Sequence, residues 1–535
     1  MASYFVISII YWFFNKKRLL IWFRIGRCSF STFSRNQKIT LMLFIFSFLL
    51  YVVWREMMFD GIYYHYQNIR WYEEYPVTPG IGNLKDQMGF NSNYFLISAI
   101  FTFRFLFNEP LYLFQDVLFT FVIGWVCIEV VNSKFRLDRI VLLVLLFIFF
   151  FMSSVGLTDT SSDIIPNICI FYYISRFVLY PRTLTKKLLF AILLPVVLIT
   201  FKLSVLPLCL ISIYLLFLLI KRRKYALSLF YVFAPLLIMV LWVAHNVIVS
   251  GYLVYPIYEI DLFDFDWKIP EAIAKWQRNF IFVWAKDTFL GLSSFLYFFY
   301  YGDMSNINDM ILFISTVIVN VFYLIILLSP FAIIWGLWKK TKVDKNIYIL
   351  YSTILCCIVY WFLSAPDFRF ALGIIIGMIF ILYCIIQSNR SKEPVLAPKA
   401  GLRIFFLIST LVFCMGISRT VYFVYKTLTL VPSTEERPPL YEALLKPYSS
   451  QYYEIKVKNI ATGFSEYMTN GVCIYVPEDV ASRSFEKLPC VGKIIYEKEL
   501  HNIEIVEARG TSIRDGFRVK KGYEEKIATA LDTKK

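Results

Sequence analysis

Charge is what this sequence has least of. Only 17% of its 535 residues are charged, against 59% hydrophobic and 19% aromatic, and the mean hydropathy is +0.62. So little polar surface excludes a soluble globule and leaves an integral membrane protein. A Walker loop, an HExxH pair, a CxxC pair and a nucleotide-binding glycine fingerprint are all missing, which disfavours a nucleotide-driven pump. No small-residue cleavage site follows the apolar run 4–14, so a removable signal peptide is not expected. That run is itself short for a span of about twenty residues. No acid occurs in 15–38, where Lys16, Lys17, Arg18, Arg24, Arg27, Arg35 and Lys38 place the segment in the cytoplasm.

What is present in quantity is apolar sequence cut by short basic clusters. Spans are expected at 40–54, 110–131, 139–152, 164–180, 188–201, 204–220, 227–249, 310–338, 347–363, 370–386 and 403–425. Residues 94–107, interrupted by Arg104, read as a helix lying in the interface. The clusters Lys134/Arg136, Arg182/Lys186/Lys187, Lys221–Lys224, Lys339/Lys340/Lys342/Lys345 and Arg390/Lys392/Lys399 fall between alternate spans, all on one side. The formal charge of +16 therefore reports topology, and nucleic acid is not an expected partner. The fold expected is an α-helical polytopic membrane protein with about 11–13 spans.

Its organisation follows from composition. Residues 1–39 are expected to hold a short first helix or an interfacial one and a basic segment, 40–430 the membrane domain, and 431–535 a small soluble α/β domain with strands near 471–476 and 493–496. The polar sequence gathers on the outer face, above all in a loop spanning 55–109. Ordinary connections run to about six residues, so a loop this long is expected to carry function. Cys473 and Cys490 are the only cysteines of the outer domain, and a disulfide between them is expected.

Several residues are candidates for chemistry. Asp60 lies just past the end of the first outward span, where lost hydration would raise a carboxyl toward a useful general base, or where it is a helix-end acid facing water. His65 is one of three histidines and is either catalytic or an interfacial hydrogen-bonding residue. Tyr64, Gln67, Arg70 and Asn83 share its loop and are candidate substrate contacts. Lys202 and Arg369 each follow an outward span, and a cation there either snorkels or pairs with a lipid phosphate. Arg369 offers a fork able to hold two phosphate oxygens. Asp159 and Asp163 stand in an outer turn as acceptor contacts or as caps of the helix that follows.

These residues carry a resemblance. An acid in the first outer loop, an amphipathic helix, many spans and an outer C-terminal domain resemble the GT-C superfamily of membrane glycosyltransferases. The segments Asp60-x-x-x-Tyr64-His65-x-Gln67, Arg70-Trp71, Pro79-Gly80-x-Gly82-Asn83-Leu84, Gly89-Phe90-Asn91-Ser92, Phe201-Lys202-Leu203-Ser204, Pro366-Asp367-Phe368-Arg369-Phe370, Leu488-Pro489-Cys490 and Arg509-Gly510-x-x-Ile513-x-Asp515-Gly516-Phe517 are similar to a bacterial polytopic family with a GT-C-like layout. Many GT-C enzymes carry an adjacent acidic pair at the first position, whereas here Gly61 follows Asp60. The resemblance implies an inverting transferase in a bacterial inner membrane, acting on the outer face; no cofactor and no metal-ligand set are expected, with a divalent metal left open because the acidic pair is missing. It would move a sugar from a polyprenyl-phosphate-linked donor to a glycan or protein acceptor, with Asp60 as base and Arg369 and Lys202 on the leaving phosphate. A polysaccharide polymerase or ligase is a neighbouring expectation, and a flippase of lipid-linked glycans or an assembly protein are expectations of other classes.

Overall fold

A computed structural model describes residues 33–54, 58–107, 110–181, 188–287, 307–338, 344–388, 398–430, 464–477, 486–491 and 505–532. Seven helices in it are long and apolar enough to cross a membrane: Phe114–Asn132, Leu137–Leu157, Leu203–Lys221, Tyr225–Ser250, Asp309–Trp338, Lys345–Ser364 and Lys399–Tyr425. Shorter apolar helices include Leu41–Val53, Ile164–Leu179, Leu188–Ile199 and Leu372–Gln387. A run this apolar offers its backbone amides and carbonyls no side-chain partners, and a helix pairs them within the segment. The helix expected at 4–14 and the strand expected near 493–496 lie outside the described residues.

The chain divides into two compact units: Met1–Arg55, Ile100–Phe147 and Pro394–Ser450 form one, and Glu56–Ala99, Ile148–Glu393 and Gln451–Lys535 the other. In the first unit, α1 (Arg35–Val53) packs on a long helix at Pro398–Leu430 and on another at Phe114–Asn132. Phe48 stacks on Phe119 at 5.1 Å, and Trp54 Nε1 donates to Thr420 Oγ1 at 2.9 Å. Residues 94–107 do not form one helix, because the chain breaks between Asn93–Ile100 and Arg104–Phe107. Phe103 there has φ +50°, a left-handed conformation that a helix cannot contain.

The second unit carries the polar chemistry. Its α2 (Tyr66–Glu74) is entered through a π-helical turn, Gly61–His65. Then come α3 (Ile164–Leu179), α4 (Leu188–Ile199), α5 (Lys345–Ser364) and α6 (Leu372–Ser388). Helix α3 is buried along most of its length and packs against α6. Helix α5 starts where the Asp344 side chain accepts from Asn346 N, a cap that satisfies one of the free amides of the first turn.

The C-terminal residues of this unit form two small antiparallel sheets, β1 (Phe464–Thr469) with β2 (Val472–Pro477), and β3 (Val506–Ala508) with β4 (Phe517–Val519). Asn470 and Gly471 join the first pair, both at positive φ, as a two-residue hairpin turn requires. The described part of the region does not enclose a core of its own. Val472, Ile474, Val506, Phe517 and Ile527 share one buried cluster with Trp71, Leu84 and Met88 of the loop at 55–109 and with Tyr252, Tyr255 and Ile269. A boundary at 431 therefore marks a change in composition, while the packing unit joins the C-terminal strands to that loop.

Candidate functional site

The π-helical turn has a local cause. Asp159 is 1% exposed and its carboxylate accepts from Met58 N at 2.7 Å and from the Tyr66 hydroxyl. It occupies the place a side chain at position 61 would take, which is why glycine stands there. His65, at the end of the turn, sets Nδ1 at 2.8 Å from the Thr160 carbonyl. The turn at 158–163 thus holds the stretch from Met58 to Tyr66 at both ends, presenting Asp60, Tyr64 and His65 from an irregular stretch of the kind that π-turns often supply at functional sites.

Asp163 occupies the N-cap position of α3 but makes no capping hydrogen bond. Its carboxylate pairs instead with Lys202, whose ammonium also lies 3.2 Å from the centroid of the Phe370 ring. Burial works to raise the Asp163 carboxyl, but Lys202 and Arg369 outweigh it and hold it below the usual carboxylate range. Burial likewise pulls the Lys202 ammonium below the usual amine value, with Asp163 opposing. Asp367, 3% exposed, accepts from Arg369 N at 2.8 Å and from Arg369 Nε at 2.9 Å. Asn167 fastens the two parts together: it donates to the Asp163 carbonyl at 2.9 Å and to the Arg369 carbonyl at 2.7 Å, and accepts from Gly373 N at 2.8 Å.

The result is one electrostatic group. Asp60, Asp163 and Arg369 all act on His65, and Asp60, Asp163 and Asp367 act on Arg369. Among the described residues, three atoms or edges of this group remain without a hydrogen bond. The Asp60 carboxylate caps nothing, the two terminal nitrogens of the half-exposed Arg369 guanidinium bond nothing, and buried His65 Nε2 has no partner. No three His, Cys, Asp or Glu side chains among the described residues are grouped to ligate a metal ion.

Other sequence candidates do different work. Gln67 is fully buried and donates to the Cys490 carbonyl at 2.7 Å. Arg70 pairs with Glu74 at 2.6 Å and donates to the Glu486 carbonyl. Asn83 donates to the Trp267 carbonyl at 2.8 Å and the Phe517 carbonyl at 3.3 Å. These three tie the loop at 55–109 to distant backbone. Asp159 braces the turn rather than capping a helix. The expected bridge between Cys473 and Cys490 is absent: both are free thiols. Cys473 pairs with Met468 in the hairpin, whereas Cys490 registers against Tyr475, two residues further on.

Sequence reasoning missed Asn167, Asp367 and Lys85. Asn167 and Asp367 lie inside motifs flanking Asp163 and Arg369, so nearness to a charged candidate was the available signal. Lys85 is 2% exposed; its ammonium donates to the Tyr63 carbonyl within the π-turn and stands 3.3 Å from the Tyr63 ring centroid. Burial pushes it down to about 7, against the influence of Cys490 and Asp86. An unfolded lysine keeps its proton to about 10.4. Between these values the unfolded chain binds more protons than the folded one, so stability rises with pH from about 7 to about 10. Thermal melting of the detergent-solubilised protein is expected to show that rise, and Lys85→Met is expected to abolish it. An unchanged slope in the variant sinks this assignment.

The residues of this group lie within a stretch, 1–376, matched by the model of a domain of unknown function, DUF8201. No curated protein and no solved structure matches the chain.

Proposed function

The chain belongs to the DUF8201 family, and we propose that it is a polytopic membrane glycosyltransferase of GT-C-like layout, with about 11–13 spans. In this reading it transfers a sugar or glycan from a polyprenyl-phosphate-linked donor to an acceptor hydroxyl on the extracytoplasmic face of a bacterial inner membrane, during surface-glycan assembly or protein glycosylation. The observation that carries the reading is the Arg369 guanidinium. It is anchored at Nε by the buried Asp367 while its two terminal nitrogens bond nothing among the described residues, and Asp60 acts on its charge. A fork held at one nitrogen with its outer edge open suits two oxygens of a phosphate.

In the reaction, the acceptor oxygen attacks the anomeric carbon as the bond to phosphate oxygen breaks. Charge develops on the leaving polyprenyl phosphate, and Arg369 stabilises it there. Lys202 supports this less directly than its position after an outward span suggests, because Asp163 already neutralises it.

The test is transfer by the purified chain in lipid vesicles, supplied with radiolabelled polyprenyl-phosphate sugars and cell-envelope acceptors. Label is expected to reach an acceptor with the parent, and more slowly with Asp60→Asn, which keeps the shape of the side chain and removes its charge from the site. Label that crosses the bilayer still attached to its lipid would replace this reading with a flippase.

A further inference from the structure

The carboxylate on the first outer helix is the obvious group to receive the acceptor's proton, but the imidazole next to it is built for that task. A carbonyl oxygen can only accept, so the 2.8 Å contact between His65 Nδ1 and Thr160 O fixes the proton on Nδ1. The Thr160 hydroxyl, 3.2 Å from the same nitrogen, has Asp159 as an outlet for its own proton. Nε2 is then a bare lone pair. The residue is 4% exposed and Nε2 is buried with no partner among the described residues. A buried acceptor left unmatched is unfavourable, so an O–H arriving there gains a hydrogen bond that none of the described residues supplies.

What surrounds the ring suits the product of proton transfer. Asp60 from its own helix and Asp163 from the start of α3 both favour the imidazolium, and the Thr160 carbonyl holds the Nδ1 proton. Burial opposes it most, joined by Arg369 from the turn before α6, and together they hold the imidazole below its ordinary value, so the ring rests neutral and ready to accept. Two rings pack on the imidazole, Tyr64 at 4.3 Å and Phe95 at 5.0 Å. Phe95 is fully buried whereas Tyr64 is part-exposed, which makes Tyr64 the side from which an acceptor enters.

We propose that His65 Nε2 takes the proton of the acceptor hydroxyl, while Asp60 acts on the imidazolium through its charge. This rests on the transferase reading above. The acceptor O–H breaks as the oxygen forms its bond to the anomeric carbon; the proton goes to Nε2, and the electron pair of the cleaved C–O bond leaves with the polyprenyl phosphate. The imidazolium then returns its proton to water.

Two variants test the assignment in the vesicle assay, read as kcat, KM and a pH profile. His65→Asn can keep an N–H on the Thr160 carbonyl while deleting Nε2, and His65→Gln places an amide near Nε2 that cannot take a proton. Each is expected to lower kcat about 10²- to 10⁴-fold with KM for the donor held. The parent rate should fall with acid through a point below the ordinary imidazole value, and both variants should lose that limb. Transfer within about two-fold of the parent in both variants, or an acid limb that persists in them and vanishes in Asp60→Asn, overturns the assignment and returns the role to Asp60. A parent that transfers nothing overturns the transferase reading itself, a result distinguishable from either variant outcome.

Discussion

Alanine at Arg369 is expected to reduce sugar transfer roughly 10²- to 10³-fold, the scale seen when one preorganised donor is taken from a developing oxyanion. The fold should survive the change. Asp367 is 3% exposed, but it keeps a hydrogen bond from the backbone amide of residue 369, at 2.8 Å in the parent, and Asn167 still holds the carbonyl of that residue. Melting of the variant should fall, since Asp367 loses its cation, so turnover is read per folded protein, and it is there that it should collapse. Arg369→Lys separates charge from geometry. Lysine returns a point charge without the fork, so it should recover part of the binding of polyprenyl phosphate and less of the rate. Vesicle assays of all three proteins, with donor binding measured alongside, decide the matter. If alanine transfers as fast as the parent, the donor phosphate is held elsewhere and the open guanidinium edge has another purpose.

The helices were legible because an apolar run announces itself. The run 347–363 becomes Lys345–Ser364, and 227–249 becomes Tyr225–Ser250, with the small extensions supplied by caps and polar ends that hydropathy does not weigh. The strand expected near 471–476 becomes Val472–Pro477, with Gly471 taken into the two-residue turn that precedes it. The site was legible only as a set of residue types near span ends. Asp60, His65, Asp163, Lys202 and Arg369 do come together. Their pairings could not be read. Asp163 and Lys202 are 39 residues apart, and Gln67 and Cys490 are 423 apart, so no periodicity links them. Polar residues in a long loop look alike in sequence whether they face a substrate or hold distant backbone. Gln67, Arg70 and Asn83 do the second because the loop at 55–109 shares its buried cluster with the C-terminal strands, and backbone carbonyls brought into that packing need donors. The π-turn was equally hidden. It depends on Asp159 and Thr160 arriving from a hundred residues away to occupy the space beside Gly61 and His65.

Removing Lys202 should injure stability more than chemistry. Its side chain is 18% exposed and that of Asp163 15%, so the pair is largely withdrawn from water. Breaking such a pair from one side leaves a charge without compensation, worth about 3 kcal/mol on the scale of buried ion pairs. Lys202→Met is therefore expected to melt well below the parent. Asp163→Asn should cost less, because the ammonium it leaves behind keeps the Phe370 ring. The double variant should recover much of what Lys202→Met loses, since no unpaired carboxylate remains. The effect has a sign in pH. Asp163 is held below its unfolded value, so the stability it contributes is present in full above about pH 4 and disappears as pH falls through the lowered folded value. Parent and Asp163→Asn should accordingly converge in acid and separate near neutrality. The same experiment weighs the two jobs open to this lysine. A residue that grips the donor phosphate would raise KM when replaced, with melting nearly unchanged. A residue committed to Asp163 would leave KM in place for whatever fraction stays folded. The pairing, together with the ring that covers the ammonium, favours the second, and it leaves Arg369 as the cation with an edge to offer.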